Sequence, residues 1–141
     1  MHTRARPDRV DLGLAVLRVI AGTVFVAHGA QKLFVFGLAG TTAAFTQFGA
    51  PLPELTGPLV SFVELFGGIA LILGLLTRLA ALGLAADMLA ATLIVHLPNG
   101  FFNPNGVELT LTLFAVAAAF AIAGAGRYSL DHAIAARRFS H

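Results

Sequence analysis

The sequence predicts an all-α integral membrane protein, a single domain over residues 1–141 built as a four-transmembrane-helix bundle with both termini in the cytoplasm. Three observations predict it. Hydrophobic residues make up 57% of the chain and charged residues only 11%, with a mean hydropathy of +0.86. The apolar residues fall in blocks of about 20, the length that crosses roughly 30 Å of hydrocarbon. The basic residues flank those blocks on alternate sides, as the positive-inside bias requires.

The first span is expected at about 12–36. The basic segment ahead of it, Met1–Arg9, has the charge of a leader, but Arg18 interrupts the apolar run that follows. No small-x-small cleavage pattern comes after it, so it reads as an uncleaved span. Pro51, Pro53 and Pro58 break the chain before a second span at about 57–76. Leu76-Thr77-Arg78 is short enough to join this to a third span, 79–97, as an antiparallel hairpin. Asn99-Gly100 and Asn103-Pro104-Asn105-Gly106 separate that from a fourth span at 107–124. The long connection 37–56 carries Leu38, Phe45 and Phe48 at helical spacing. It fits a short interfacial helix between spans one and two, and equally an irregular loop over the bundle. No internal repeat superposes the polar positions of the two halves.

Orientation follows from Lys and Arg. Arg4, Arg6 and Arg9 lie in the N-terminal tail, Arg78 in the hairpin, and Arg127, Arg137 and Arg138 in the C-terminal tail, while the other two connections carry none. The sequence pI of about 9.9 reflects this flanking charge, and no nucleic-acid patch forms. Cysteine is absent, which excludes disulfides, thiol catalysis and thiolate metal ligation within the chain.

Six ionisable side chains interrupt the spans: Arg18, His28, Lys32, Glu64, Asp87 and His96. An Arg, Lys or Asp at the centre of a span costs roughly 2.5–3.5 kcal/mol on insertion scales. Such residues normally face a bundle interior and find partners there. At 100° per residue, Arg18, Phe25, His28 and Lys32 share an arc of about 80°. Glu64 shares its face with Ser61, Gly67 and Gly68, and Asp87 with Ala80, Gly83, Ala90 and Ala91, small residues that let helices approach.

Counting depth from the expected span ends pairs Lys32 and His28 with Glu64 in the outer half, and Arg18 with Asp87 as a structural ion pair in the inner half. His96 falls about 180° from Asp87 on an ideal helix, at the outer mouth, where Asn103, Asn105 and Glu108 approach. The ligand-binding candidates are therefore His28, Lys32, Glu64, His96 and Glu108. Each has a plainer alternative. The pairs serve packing alone, Lys32 snorkels to the interface, or Glu108 is a helix-start acid favoured by the macrodipole. His28 and His96 with Glu64 or Glu108 would be an N/O donor set for a metal, but no ligand spacing supports one, and no metal or covalent cofactor is expected.

His28-Gly29-Ala30-Gln31-Lys32-Leu33 resembles the first-span motif of the DoxX family of small bacterial membrane proteins. So do Val63-Glu64-Leu65-Phe66-Gly67-Gly68, the stretch Leu73-Gly74-Leu75-Leu76-Thr77-Arg78-Leu79-Ala80-Ala81, and the closing segment Gly124-Ala125-Gly126-Arg127-Tyr128-Ser129-Leu130-Asp131, with Ala125 where Pro is common. The resemblance covers about 12–131. It implies a four-helix, multi-pass protein of the bacterial cytoplasmic (inner) membrane associated with redox metabolism. Family relatives occur in a thiosulfate:quinone oxidoreductase, and others are linked to thiol redox and oxidative stress defence. The resemblance names no reaction, so whether the chain is an enzyme stays open.

Three functions compete. One is a redox-associated subunit that binds a quinone or other small molecule in an outward-opening polar cluster, with Phe25, Phe34 or Phe66 as walls. Another is a structural or assembly subunit of a larger bacterial membrane complex, with no chemistry of its own. The third is a channel or transporter, for which four short spans leave little room. The expected partners are the lipid bilayer and other membrane subunits or further copies of the chain, and no nucleic acid.

Overall fold

The structure, a computed structural model, describes residues 7–139. Arg4 and Arg6, counted in the charge bias, lie outside the described residues. Within them the chain is helical, with no strand. Helix α1 (Pro7–Ala30) runs on through a π-helical turn, Gln31–Val35. Gly37, at φ +71°, then redirects the chain into α2 (Gly37–Gln47). Helix α3 (Pro53–Leu73) and α4 (Thr77–Ala90) form the expected hairpin. Helix α4 continues through a second π-helical turn, Ala91–His96, and a 3₁₀ turn, Leu97–Asn99. Helices α5 (Glu108–Ala123) and α6 (Leu130–Arg138) close the described chain.

Among the described residues, three helical stretches are long and apolar enough to cross a membrane: 9–35, 53–73 and 77–99, with mean hydropathies of 2.0, 1.8 and 1.8. Helix α5 is equally apolar but has only 16 residues. The second helix starts four residues before the expected 57, because Pro53 occupies its first turn, where a missing N–H costs nothing. Pro58 forgoes one backbone bond and the helix continues through it. The connection 37–56 resolves in favour of a helix, since α2 spans most of it.

The bundle is held by one tight seam and one apolar core. Gly22 and Gly29 of α1 face α3 so closely that backbone meets backbone. A methyl group on Gly68 would stand 2.7 Å from both the Gly22 carbonyl oxygen and the Val26 amide nitrogen. That is the small-residue packing that close helix approach in lipid needs. The inward stripe of α3 is Gly57, Ser61, Glu64, Gly67, Gly68 and Leu71, all buried. Around it, Phe25, Leu71, Leu84, Met88, Leu113 and Phe120 form the core with Ala81, Ala85 and Ala117. Large apolar side chains such as Ile20, Phe66, Leu82 and Ile122 point outward, as lipid contact requires.

The two ends of the bundle differ. At the hairpin end, the Arg18 guanidinium donates to the carbonyl oxygens of Ala125 and Tyr128. Asp11 accepts from the Arg127 amide at 2.9 Å. The Asp131 carboxylate accepts from the amides of Leu76 and Thr77 at 2.7 and 2.9 Å, capping α4 from another helix. Leu76 sits at φ +48°, a left-handed conformation that needs such support. Burial alone would raise the Asp131 pKa, but the amides of Thr77 and Leu76, the Thr77 side chain and the nearby Arg18 charge together hold it below the usual carboxylate value. At the other end, α2 lies over α3 and the first π turn, with the buried Thr41 hydroxyl donating to the Lys32 carbonyl at 2.9 Å.

Candidate functional site

Beneath α2 lies a cavity of about 300 Å³, at the lower end of the range for small-molecule sites. Its floor and walls are apolar: Phe25, Val60, Met88, Ala91 and Leu113. Into it project His28 and Lys32 from α1, Glu64 from α3, and Asp87 and His96 from α4 and its π turn. Phe45 of α2 and Phe48 just past its end roof one side, and Asn103 and Pro104 the other.

At the centre is an ion pair, Lys32 Nζ to Glu64 Oε2 at 2.6 Å, with Glu64 buried and Lys32 19% exposed. This is the outer-half pairing expected from depth, and Lys32 does not snorkel. The expected partnership of Arg18 with Asp87 does not form. Arg18 is bound to the carbonyls of the 125–128 loop, whereas Asp87 lines the same cavity as Glu64. The reason is register. Glu64 precedes the turn residue Gly74 by ten residues and Asp87 follows Thr77 by ten, so both sit about 15 Å from the hairpin turn. The expected spans began too late at the second helix and set the two acids at different depths. Two carboxyl groups thus stand near one lysine, which is paired with Glu64, and Asp87 Oδ2 is buried without a hydrogen-bond partner.

His96 reaches the same cavity as Asp87, which an ideal α-helix forbids. The π turn Ala91–His96 supplies the difference. With about 4.4 residues per turn, it brings His96 to roughly 70° from Asp87 instead of 180°. The backbone carbonyl of Asn105 then lies 2.8 Å from His96 Nδ1 and holds the ring against the outer loop.

Glu108 is not part of the cavity lining. It stands in the first turn of α5, where the helix dipole favours an acid. In its place α5 presents Leu109, Thr110 and Leu113. The Thr110 hydroxyl lies 3.0 Å from that of Thr92, and the Met88 carbonyl accepts from Thr92 at 2.7 Å. Of the expected aromatic walls only Phe25 serves. Phe34 and Phe66 face outward, and Phe66 stacks on Phe62 at 6.0 Å.

Sequence reasoning did not place Thr110, Met88, Phe45 or Phe48 at the site. The helical spacing of Phe45 and Phe48 was the available signal, but it could not say which surface they would cover. Chemically, the arrangement offers cationic and imidazole donors beside a pair of acids, in a chamber with largely apolar walls.

Comparison with known proteins finds membrane-protein relatives. The family model described as DoxX matches residues 13–97. An uncharacterized protein of Haemophilus influenzae is 35% identical over 84% of this chain and 88% of its own length. The Escherichia coli inner membrane protein YqjF is 33% identical over 86% and 91%. A Bacillus subtilis protein named "Putative oxidoreductase CatD" is 30% identical over 75% and 76%. No solved structure matches significantly.

Proposed function

The chain belongs to the DoxX family and is a multi-pass inner-membrane protein, like its relatives so named. From that premise we propose that it is a redox-associated membrane subunit that binds a quinone-class ring in the cavity beneath α2. The observation that carries the proposal is the Lys32–Glu64 pair with Asp87 against it, set among apolar walls. A quinone needs an apolar slot and donors at its carbonyl oxygens. Lys32 and His28 are those donors. The hydroquinone carries O–H donors instead, and the unpartnered Asp87 Oδ2 is an acceptor for one. Glu64, between Lys32 and Asp87, is the group through which a proton passes between ring and protein. The relative named an oxidoreductase supports the redox association. Without cysteine, electrons reach the ring only from a partner subunit or another bound carrier.

Orientation and span count belong to the same reading. Arg9, Arg78, Arg127, Arg137 and Arg138 gather at the hairpin end, and the cavity lies at the opposite end, so the positive-inside bias turns the cavity mouth outward. Helix α5 runs the length of the bundle, from Val107, bonded to Gly100, to Gly124 beside Arg78. It is the fourth crossing.

The test is photo-crosslinking of an azido-benzoquinone to purified protein in lipid nanodiscs. Labelled peptides within 25–32, 60–64 and 87–96 are the expected result, reduced at least tenfold in K32M. Absence of labelling in all three overturns the assignment and leaves the structural-subunit reading.

A further inference from the structure

A second, smaller cavity of about 140 Å³ adjoins the first. The two share Phe45, Phe48, Val60, Asp87, Ala91 and Val95 as walls. Their chemistry differs sharply. The first gathers His28, Lys32, Glu64 and His96, whereas the second has no ionisable wall except the shared edge of Asp87. Its remaining sides are Ala50 and Pro51 of the α2–α3 link, Thr56 of α3, Ala90 of α4 and Ile94 of the π turn that follows it.

Ala90 and Ile94 lie on the outside of the bundle, on a helical stretch apolar enough to cross the membrane. The smaller cavity is therefore a slot leading sideways from the polar chamber to the hydrocarbon-facing surface. Its position has a structural cause. The tight turn at 74–76 holds α3 and α4 together at one end. At the other, Phe45 of α2 and Phe48 just past its end pack over the gap between them, and the wider π turn begins at Ala91. A ligand arriving from water would have no use for such a slot.

We propose that this slot is a lateral portal, taking the apolar chain of a membrane-borne amphiphile whose ring occupies the polar chamber. The inference rests on the proposed ring site and adds the ligand's class and route. The substrate is a lipid-soluble molecule with a tail, entering between α3 and α4 from the bilayer rather than through the loops. Asp87, on the wall common to both cavities, stands where ring and chain join. Ala90 is small, and its methyl group is one side of the opening.

Two probes separate the portal from the ring site: a benzoquinone without a tail, and the same ring carrying a ten-carbon chain. Binding is measured in nanodiscs by competition with the azido-benzoquinone. In the wild type both compete. A90W, which fills the slot, weakens the tailed probe at least tenfold and leaves the tail-free probe within twofold. L93W, which adds the same bulk on an exposed residue outside the slot, leaves both within twofold. If A90W leaves the tailed probe within twofold, or weakens both probes alike, the portal is overturned while the ring site stands. The same holds if only the tail-free ring binds the wild type. If neither probe competes, the ring site falls and the portal with it. Should A90W not yield monodisperse protein, I94W narrows the same slot one turn along and is read by the same criteria.

Discussion

Removing Lys32 should damage this protein more than removing its ion-pair partner. At 2.6 Å and an effective dielectric of about 20, the Lys32–Glu64 attraction is roughly 6 kcal/mol before desolvation is subtracted. Breaking a buried pair from one side typically costs about 3–5 kcal/mol, because the remaining charge is stranded. The two sides are not equivalent here. K32M strands Glu64, which is 4% exposed, beside Asp87 with no cation in the chamber's ion pair, so about 3–4 kcal/mol is expected. E64Q leaves Lys32 partly exposed and within the field of Asp87, which takes over as counter-ion, so about 1 kcal/mol is expected. For a chain of this length, roughly 4 °C of melting temperature corresponds to 1 kcal/mol. K32M should fall by about 12 °C and E64Q by about 4 °C in the same detergent. The double variant K32M/E64Q, with one acid left, should recover several degrees relative to K32M. The assay is thermal unfolding followed by tryptophan-free near-UV signal or by dye-free light scattering. Equal losses in the two single variants, or a larger loss in E64Q, would refute the claim that Asp87 takes over from Glu64 as the counter-ion of Lys32.

Three further outcomes follow from the fold. D131N should lose about 1 kcal/mol of the cap on α4. Because the folded pKa of Asp131 is depressed, its contribution is present above the unfolded value near 3.9 and fades as pH falls through the folded one. The wild-type advantage over D131N should therefore be full at pH 7 and shrink below about pH 4, and a difference that grows on acidification would contradict it. G68V should force apart the α1–α3 seam, at a cost of about 1–3 kcal/mol, read as a lower melting temperature, while G13V, with open space around it, should change nothing. R18K replaces the two guanidinium nitrogens that separately hold the Ala125 and Tyr128 carbonyls with a single nitrogen lacking that fixed fork, so amide exchange across 125–138 should accelerate at least tenfold while α3 stays protected.

How much of this was legible in the sequence can be traced residue by residue. The inward face of α1 was, because Arg18, Phe25, His28 and Lys32 obey a single helical period as far as the first π turn. The inward face of α3 was as well, since its glycines and Ser61 mark it as clearly as Glu64 does. Helix α6 is not evident from hydropathy, although Ser129 caps it by accepting from the His132 amide at 3.2 Å, with Asp131 in its first turn and Arg137 and Arg138 in its last. Those are ordinary start and stop signals, masked by the charge that marks the segment as a cytoplasmic tail. The partner of Arg18 was invisible for a different reason. Its acceptors are backbone carbonyls, which carry no sequence signature.

The site itself was half legible, and the missing half lies in the π turns. An α-helical wheel separates Asp87 and His96 to opposite sides, and no residue in Ala-Thr-Leu-Ile-Val-His announces a wider turn. Within the segment, Thr92 is positioned to compensate, its hydroxyl bonded to the Met88 carbonyl and set against Thr110. The first π turn is braced in the same manner, by Thr41 on the Lys32 carbonyl. Both irregular turns therefore flank the one chamber, and each is braced by a buried threonine on a carbonyl. π-Turns are frequent at functional sites, and here they have a definite consequence. They let two regular spans, each with a single inward face, deliver an extra side chain to the interior: His96 beside Asp87, and the Lys32 main chain toward α2. A straight-helix version of the same bundle would keep the Lys32–Glu64 pair for packing and would turn His96 to lipid. The chain thus departs from regular helix at the two places that border the chamber holding Lys32, Glu64, Asp87 and His96, which packing of the helices alone does not require.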